Sequence, residues 1–244
     1  MLRIQSKMAA MGEMLANIAH QWKQPLNTIS ICSSNIQIEQ ELGNIEDKND
    51  THENMVDNIM NSVSYMNTTI TDFQNYLKPN KLESCFYLKD TFNKVEKLIS
   101  SQCISNNVQI IFDIEEISLC SYQNELIQVL INLLKNSLDE FEQKTLEKKI
   151  IKVKAINENK EIKIFIHDNA GGIPKEIKSK IFEPFFTTKK EFGTGIGLHM
   201  SKQIIESHLN GTIDINNKEI ELENKTYLGA EVSIIIKSST ENNS

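Results

Sequence analysis

The stretch "NLLKNS" carries two asparagines, Asn132 and Asn136, four residues apart. This spacing places both side chains on the same face of a helix. Asparagine is a poor helix former, so two of them on one face of an apolar helix suggest a use. An amide oxygen is a hard, neutral ligand that suits Mg²⁺ already carrying phosphate oxygens and waters. Taken alone, the pair also fits two exposed polar positions.

A second candidate follows the alternating run "EIKIFI", in the stretch "HDNAGGIP". Asp168 ends the predicted strand, and Gly171 and Gly172 follow in a tight turn where backbone can approach a flat ligand. A carboxylate at such a strand end can accept a hydrogen bond from an exocyclic amine such as N6 of adenine. The alternative is an ordinary turn, since Asp and Gly are common turn residues.

Three glycines, Gly193, Gly195 and Gly197, run directly into a predicted helix in "GTGIGLHMSKQIIESH". Backbone amides at a glycine-rich helix N-terminus bind phosphate well. The spacing is not the GxGxxG of dinucleotide folds, and no GxxxxGK[ST] motif occurs in the chain. The glycines therefore indicate a phosphate-binding segment of another kind.

Between the aspartate and the glycines lies "IFEPFFTTKK", with adjacent aromatics at Phe185 and Phe186. Such a loop suits a mobile lid whose rings pack when ligand is bound. Lys189 and Lys190 are placed where they could reach phosphates, although solvation is the expected role of at least one. The alternative is a loop pinned to the core by its aromatic rings.

His20 precedes Pro25 by five residues within a predicted helix. Proline has no N–H, so the carbonyl of Gln21 loses its helical partner and the helix bends there. In the apolar pattern of this segment, His20 falls on the outward side, where another domain or a partner can reach it. A lone histidine on a helix is ordinarily a surface residue, so its meaning depends on the downstream motifs.

Two apolar stripes with alternating steps of three and four residues predict the helices that carry this histidine. A short polar segment, "GNIEDKND", connects them, which predicts an antiparallel hairpin. One hairpin cannot close a core around such narrow seams, so we expect a homodimer with a four-helix bundle. The stripes consist of Ile4, Met8, Met11, Leu15, Ile18, Trp22, Pro25, Ile29, Cys32 and Ile36, then Val56, Ile59, Val63, Met66, Ile70, Phe73 and Leu77.

Beyond "YLKPNK" the pattern changes to short alternating runs and strongly apolar helices. The predicted fold class is α+β: a helical hairpin at 1–80, then an α/β layer with a mixed sheet at 81–238. The last residues, 239–244, have no apolar anchor and are predicted to be disordered.

The composition excludes several classes of protein. Among 244 residues, 39% are hydrophobic and the net charge is -7, without a basic stripe, so nucleic acid is not an expected partner. No run of about 18 apolar residues occurs, so no membrane insertion of this chain and a cytoplasmic location are expected. Four cysteines lie far apart, at Cys32, Cys85, Cys103 and Cys120, and are predicted to be reduced thiols.

In this order and at these intervals, the motifs resemble those of the sensor histidine kinases of two-component systems, over nearly the whole chain. The match comprises the H box "AHQWKQPLN", the N box "NLLKNS", and the G1, F and G2 boxes "DNAGGI", "FEPFFTTK" and "GTGIGL". The resemblance implies a dimerisation and phosphotransfer hairpin followed by a Bergerat-type ATP-binding α/β sandwich.

The resemblance also assigns roles within the ATP-binding domain. Asn136 would hold Mg²⁺ with Asn132 near the phosphates, while Asp168 would contact adenine and Gly172 would shape the pocket. The remaining positions implied to bind ATP lie in the lid and the helix after it: Phe185, Thr188, Lys189, Gly193, Gly195, Gly197 and Leu198.

On this resemblance His20 is the phosphate acceptor, through Nε2 of the neutral imidazole. Many family members place Glu or Asp directly after the histidine, but this chain has Gln21. An amide oxygen can orient the Nδ1–H tautomer but cannot take its proton, so slow autophosphorylation is expected. Gln24, one turn later on the same side, could orient a water in dephosphorylation of a partner.

The expected partner is the receiver domain of a response regulator, which accepts the phosphoryl group on an aspartate. About 19 residues precede His20, so we expect either a fragment of a longer sensor or a signal from another chain.

Two alternatives remain open at this point. One is a nucleotide-binding pseudokinase or dimeric scaffold, suggested by Gln21. The other is a different Bergerat-type ATPase, Hsp90-like or MutL-like, which the histidine-bearing hairpin disfavours.

Overall fold

The computed structural model describes residues 22–23, 25–39, 41, 49–77, 83–142, 144–189, 193–222 and 225–237. His20, Gln21, Gln24 and Lys190 lie outside the described residues, as does the predicted disordered tail at 239–244. The chain divides into two compact units. Residues 1–78 group with 188–194, and residues 79–187 group with 195–244.

The first unit contains two helices, as the apolar stripes predict. Helix α1 covers residues 25–39, with further helical residues at 22–23 and 41, and α2 covers Asn49–Leu77. Cys32 on α1 and Ser62 on α2 are buried. The ends of the two helices meet at His52, whose Nε2 lies 2.9 Å from Oε2 of Glu39, without the alignment of a hydrogen bond.

The second unit places helices against sheets. Its helices are α3 (Leu88–Ser105), α4 (Gln123–Glu142), the short α5 (Lys175–Lys178) and α6 (Gly197–Ser207). Its strands are β1 (Ser84–Tyr87), β2 (Val108–Ile114), β3 (Ser118–Ser121), β4 (Lys149–Glu158), β5 (Glu161–Asp168), β6 (Gly211–Leu222) and β7 (Lys225–Lys237).

Five strands form a mixed sheet in the order β2-β4-β5-β7-β6, with β2 parallel to β4 and the other neighbours antiparallel. Ala155, Ile164, Ile234 and Ile213 fall in one row across four strands, and all are buried. Successive side chains of a strand point to opposite faces, so this row defines the face that helices α3, α4 and α6 cover.

Helix α4 is anchored by one apolar face. Its buried residues are Leu126, Val129, Leu130, Leu133, Leu134, Ser137, Leu138 and Phe141, at the spacing of a helix packed on a core. Because this face fixes the helix against the sheet, the positions of Asn132 and Asn136 relative to β5 are also fixed.

The mixed sheet confirms the predicted α+β class, and four elements differ in detail. Strand β3 and helix α5 were not expected, because four-residue elements carry too little periodicity to be recognised. Strands β6 and β7 are longer than the short alternating runs predicted for this domain, because their pairing continues through the polar residues to Leu222 and Lys225.

The prediction that all cysteines are free is wrong for two of them. Cys85 and Cys120 form a disulfide, whereas Cys32 and Cys103 are free thiols. The physical reason is strand register: β1 and β3 pair antiparallel in a separate two-stranded sheet, and the two cysteines are direct partners.

None of the helices among the described residues is long and apolar enough to cross a bilayer.

Candidate functional site

Asp168 ends β5 in a buried position and is held by three donors. Its Oδ1 accepts hydrogen bonds from the backbone N–H groups of Ala170 (2.9 Å) and Ala230 (3.2 Å), and its Oδ2 accepts from the Ser137 hydroxyl (3.0 Å). A carboxylate has about four acceptor positions, so Oδ2 can accept one more bond. The carboxylate is therefore fixed in orientation and still has capacity for an exocyclic amine.

The turn after Asp168 requires glycine. Gly171 and Gly172 have φ of 94° and 75°, in the region that favours glycine. Asn217 of β6 holds the turn, since its Nδ2 donates to the Ile173 carbonyl (2.8 Å) and its Oδ1 accepts from the Ile173 N–H (2.7 Å). A Cβ on Gly172 would lie 2.7 Å from Oδ1 of Asn217, so the predicted pocket-shaping glycine is also needed for this clamp.

Two further residues fix the turn from its other sides. Asn169 is buried, with its Oδ1 accepting from the Ile150 N–H (2.8 Å) and its Nδ2 donating to the Lys148 carbonyl (2.9 Å). Gly229 of β7 passes so close that a Cβ there would overlap the carbonyl oxygen of Asp168. The end of β5 is thus held in place by contacts with β4 and β7.

The side chain of Asn132 already has a hydrogen-bond partner within the protein. Its Nδ2 donates to the Ser201 hydroxyl on α6 (2.9 Å), and a Cβ on Gly197 would overlap its Oδ1. Asn132 is therefore packed against the first turn of α6, where helical N–H groups are free to bind an anion.

Asn136 differs from Asn132 although the two share a face of α4. It is half-buried, and its side chain has no hydrogen-bond partner among the described residues. It directly precedes Ser137, which contacts Asp168. An uncommitted amide oxygen can serve as a hard ligand, which fits Mg²⁺ held mainly by phosphate oxygens and waters. The described residues contain no cluster of three His, Cys, Asp or Glu side chains that could hold a metal by themselves.

The base of the loop after α5 is closed by a backbone contact. The N–H of Phe185 donates to the Gly195 carbonyl (2.9 Å), and a Cβ on Gly195 would overlap the Phe185 backbone. Phe185 itself has φ of 65°, which is uncommon for a non-glycine residue and is often found at functional sites. We call this pair the Phe185–Gly195 clasp.

The remaining predicted site residues lie in α6 and in the loop before it. Leu198 is partly buried and packs against the core. Thr188, Lys189 and Gly193 lie in segment 188–194, which groups with the helical unit. His167 lies on the opposite face of β5 from Asp168, with its Nε2 3.2 Å from the Lys218 carbonyl.

The sequence motifs did not indicate Ser137, Asn217 or Gly229. A glycine inside a strand often marks a close approach of backbone, so Gly229 carried a usable signal. Ser137 and Asn217 are identified as site residues through their hydrogen-bond partners, Asp168 and Ile173, which lie far away in the chain.

Two family profiles match the chain. The one described as "His Kinase A (phospho-acceptor) domain" matches residues 10–80, and the one described as "Histidine kinase-, DNA gyrase B-, and HSP90-like ATPase" matches residues 121–240.

Curated relatives agree with both profiles. Sporulation kinase A of Bacillus subtilis is 26% identical over 86% of this chain, and sensor histidine kinase ZraS of Escherichia coli K12 is 26% identical over 89%. The chain spans 33% and 45% of the lengths of these two relatives.

Solved structures resemble the fold. The catalytic domain of histidine kinase ThkA, 29% identical, matches 64% of this chain and 96% of that domain with a TM-score of 0.54. Histidine kinase ThkA in complex with response regulator protein TrrA matches 98% of this chain and 65% of that chain, with a TM-score of 0.72 and 24% identity. The order of the two profiles and the relatives agree: the chain belongs to the sensor histidine kinases of two-component systems.

Proposed function

We propose that this chain is a histidine kinase core that binds ATP with Mg²⁺, phosphorylates His20 and passes the phosphoryl group to an aspartate of a response regulator. The observation that carries the proposal is the arrangement around β5 and α4. The Asp168 carboxylate is fixed by three hydrogen-bond donors, and its Oδ2 can accept one more bond. Asn136, whose side chain has no hydrogen-bond partner among the described residues, directly precedes Ser137, which donates to Asp168.

Each part of the site has a role in holding ATP. Oδ2 of Asp168 accepts from N6 of adenine, and the Gly171–Gly172 turn lies against the base. Asn132 and the free N–H groups of the first turn of α6 bind the phosphates. Asn136 would provide the protein ligand to Mg²⁺, and the ion would supply neutralisation of the phosphate charge. The family resemblance also implies a role in phosphate binding for the lid residues Thr188, Lys189 and Gly193.

The transfer itself requires an aligned nucleophile. The lone pair on Nε2 of neutral His20 attacks the γ-phosphorus while the bond to the ADP oxygen breaks, and the transition state is loose, so positioning supplies most of the catalysis. The amide oxygen of Gln21 would orient the Nδ1–H tautomer of His20. Its amide cannot accept the proton, which leaves to water. Since general-base catalysis is worth about 10²–10⁴-fold, this predicts slow transfer.

Exposed apolar residues on the helical hairpin support a homodimer. Val56, Met60 and Val63 on α2 have exposed fractions of 49%, 61% and 42%, at spacings that place them on one helix face. On α1, Leu26, Ile31 and Ile38 are also exposed. A second copy of the same hairpin would cover these side chains in a four-helix bundle. We place this dimer in the cytoplasm.

The expected acceptor is a response regulator, and histidine kinase ThkA has been solved in complex with the response regulator protein TrrA. Gln24 is the candidate for orienting water in dephosphorylation of that regulator. Because the chain spans a third of sporulation kinase A, we expect the signal to come from a sensor module beyond this sequence or on another chain.

A second function, a nucleotide-binding pseudokinase or dimeric scaffold, is favoured by one residue, Gln21 in place of a carboxylate. It predicts tight ATP binding without phosphorylation. An Hsp90-like or MutL-like ATPase is disfavoured, because the phospho-acceptor profile matches residues 10–80.

The test is incubation with γ-labelled ATP and Mg²⁺ of the wild type, His20→Ala and a control variant, His52→Ala. Acid-labile, base-stable label that is lost in His20→Ala and kept in His52→Ala supports the proposal, because a phosphoramidate has this lability. Absence of label from a wild type that binds ATP would support the scaffold instead.

A further inference from the structure

The disulfide between Cys85 and Cys120 lies on the outer side of a small sheet. The two residues are register partners of the antiparallel strands β1 and β3, with Cα atoms 3.9 Å apart. Their neighbours Phe86 and Leu119 are also partners and pack into the core. Because side chains alternate between faces along a strand, the cysteines face away from that core. Cys85 is exposed and Cys120 is half-buried, so small molecules can reach the bond.

The strands that the bond joins have distinct positions in the chain. Strand β1 is the first element of the second unit, directly after the segment that follows α2. Strand β3 leads through Tyr122 into α4, and the Tyr122 carbonyl accepts from the N–H groups of Glu125 and Leu126, each at 3.1 Å. The bond therefore joins the entry strand to the strand that starts the asparagine-bearing helix.

The pairing of β1 is weak without the bond. The strand has four residues in a sheet of two strands, and a two-stranded ribbon is marginally stable in water. Its other attachments are Phe86 in the core and the adjoining Leu88, whose N–H donates to the Ile117 carbonyl (2.9 Å). The state of the disulfide thus has a large effect on how firmly Ser84–Tyr87 is held.

We propose that Cys85 and Cys120 form a reversible dithiol–disulfide site that reacts with low-molecular-weight disulfides such as oxidised glutathione. The oxidised form holds β1 against β3, and the reduced form releases it more readily. Because β1 is the first described element after α2, the redox state sets how firmly the start of the second unit is held. This site is separate from the phosphoryl-transfer chemistry.

The reaction balances with glutathione as the co-reactant. The thiolate of Cys85, the more exposed of the two, attacks one sulfur of oxidised glutathione and expels a glutathione thiolate. The thiolate of Cys120 then attacks Sγ of Cys85, breaks the mixed disulfide and expels the second glutathione thiolate. The two thiol protons of the protein end on two glutathione molecules. The protein loses two electrons, and the glutathione disulfide gains them.

The experiment counts thiols in the full chain after equilibration in glutathione buffers, with acid quenching and titration in denaturant. The wild type should change from four thiols in excess reduced glutathione to two in excess oxidised glutathione, and return when the buffer is reversed. The control variant Cys103→Ser should lose the same two. Burial and the charge of Glu96 raise the pKa of the Cys103 thiol, which makes it a poor thiolate donor.

A second measurement follows amide hydrogen exchange at Ser84–Tyr87. On reduction, exchange in β1 should become about tenfold faster, because local opening is easier, while the β4–β5 hairpin stays unchanged. Cys120→Ser should show the fast exchange in both buffers. The proposal fails if four thiols persist in excess oxidised glutathione, or if the bond survives excess reduced glutathione. It also fails if the lost thiols carry glutathione at Cys32 or Cys103. None of these results depends on kinase activity.

Discussion

The end of the site at Asp168 and the end at Asn136 differ in how far the protein itself satisfies their polar groups. Asp168 accepts three hydrogen bonds from β7, α4 and its own turn, and Asn217 and Asn169 hold the surrounding backbone. Asn136 has no such partner among the described residues. The comparison suggests that the end proposed for adenine is organised before binding, whereas the phosphate end is completed by ATP and Mg²⁺.

The largest expected effect is at the organised end. Asp168→Asn replaces an acceptor-only group by one whose N–H₂ faces existing donors, and it removes a charge-assisted hydrogen bond worth about 1.5–3 kcal/mol. ATP affinity, measured by calorimetric titration, should fall by about 100-fold. Asp214→Asn, at an exposed position of β6, is the control and should bind as the wild type does. Equal affinity in a folded Asp168→Asn protein would show that adenine does not contact this carboxylate.

The two asparagines offer the sharpest separation of the two ends. Asn136→Ala should keep or slightly raise the melting temperature, because Ala is the better helix former. It should also abolish the gain in ATP affinity that Mg²⁺ gives. Asn132→Ala should lose about 1 kcal/mol of unfolding free energy, because the Ser201 hydroxyl loses its partner. Thermal melts and nucleotide titrations with and without Mg²⁺ check both, and matching profiles for the two variants would contradict the distinction.

A change at the Phe185–Gly195 clasp tests whether the phosphate end of the site needs the start of the lid to be fixed. Gly195 has φ of 63°, and a Cβ there overlaps the Phe185 backbone, so Gly195→Ala should cost about 1–3 kcal/mol of unfolding free energy. Gly195→Ala should slow the phosphorylation of His20 more than it weakens ATP binding, since adenine is held at the Asp168 end of the site. The control is Ser179→Ala, in the exposed turn after α5, which should resemble the wild type. Gly211→Ala is not a suitable control, because a Cβ at Gly211 would overlap the Ile235 carbonyl.

A smaller effect is expected at Ser137. Ser137→Ala removes one of three donors to Asp168 and leaves the two backbone donors, so ATP affinity should fall by about 2–10-fold, equivalent to 0.5–1.5 kcal/mol. A drop as large as that of Asp168→Asn would mean that the hydroxyl, and not the backbone, orients the carboxylate. Competition with a fluorescent nucleotide resolves the difference.

The smallest effect is expected at the far end of β5, away from the site. A hydrogen bond and charge attraction from Lys163 hold the pKa of Glu158 below its ordinary value. The stabilisation is therefore present at neutral pH and lost as pH falls through the lowered pKa. Lys163→Gln should lower the melting temperature slightly at pH 7, converge with the wild type in acid, and leave ATP binding unchanged. A binding change there would show that the two ends of the strand are coupled.

Local chemistry and periodicity predicted Asp168, the glycine turn and α4, because those signals lie within one element. The partners of Asp168 were harder, since Ser137 and Ala230 are distant in the chain and are joined to it by strand order and helix packing. The cysteine pair was mispredicted for the same reason, because β1–β3 register is a tertiary property. The positive φ of Phe185 follows from its contact with Gly195, which the sequence of the loop does not indicate.

Strand β6 is an outer strand of the five-stranded sheet, and such edges can recruit strands from other molecules and start aggregation. Its residues 216–219 are exposed and polar, "NNKE", and two of them carry charge. A charged lysine and glutamate at the edge discourage strand addition. Strand addition at this edge is thereby disfavoured, which is consistent with the proposal that copies associate through the helical hairpin.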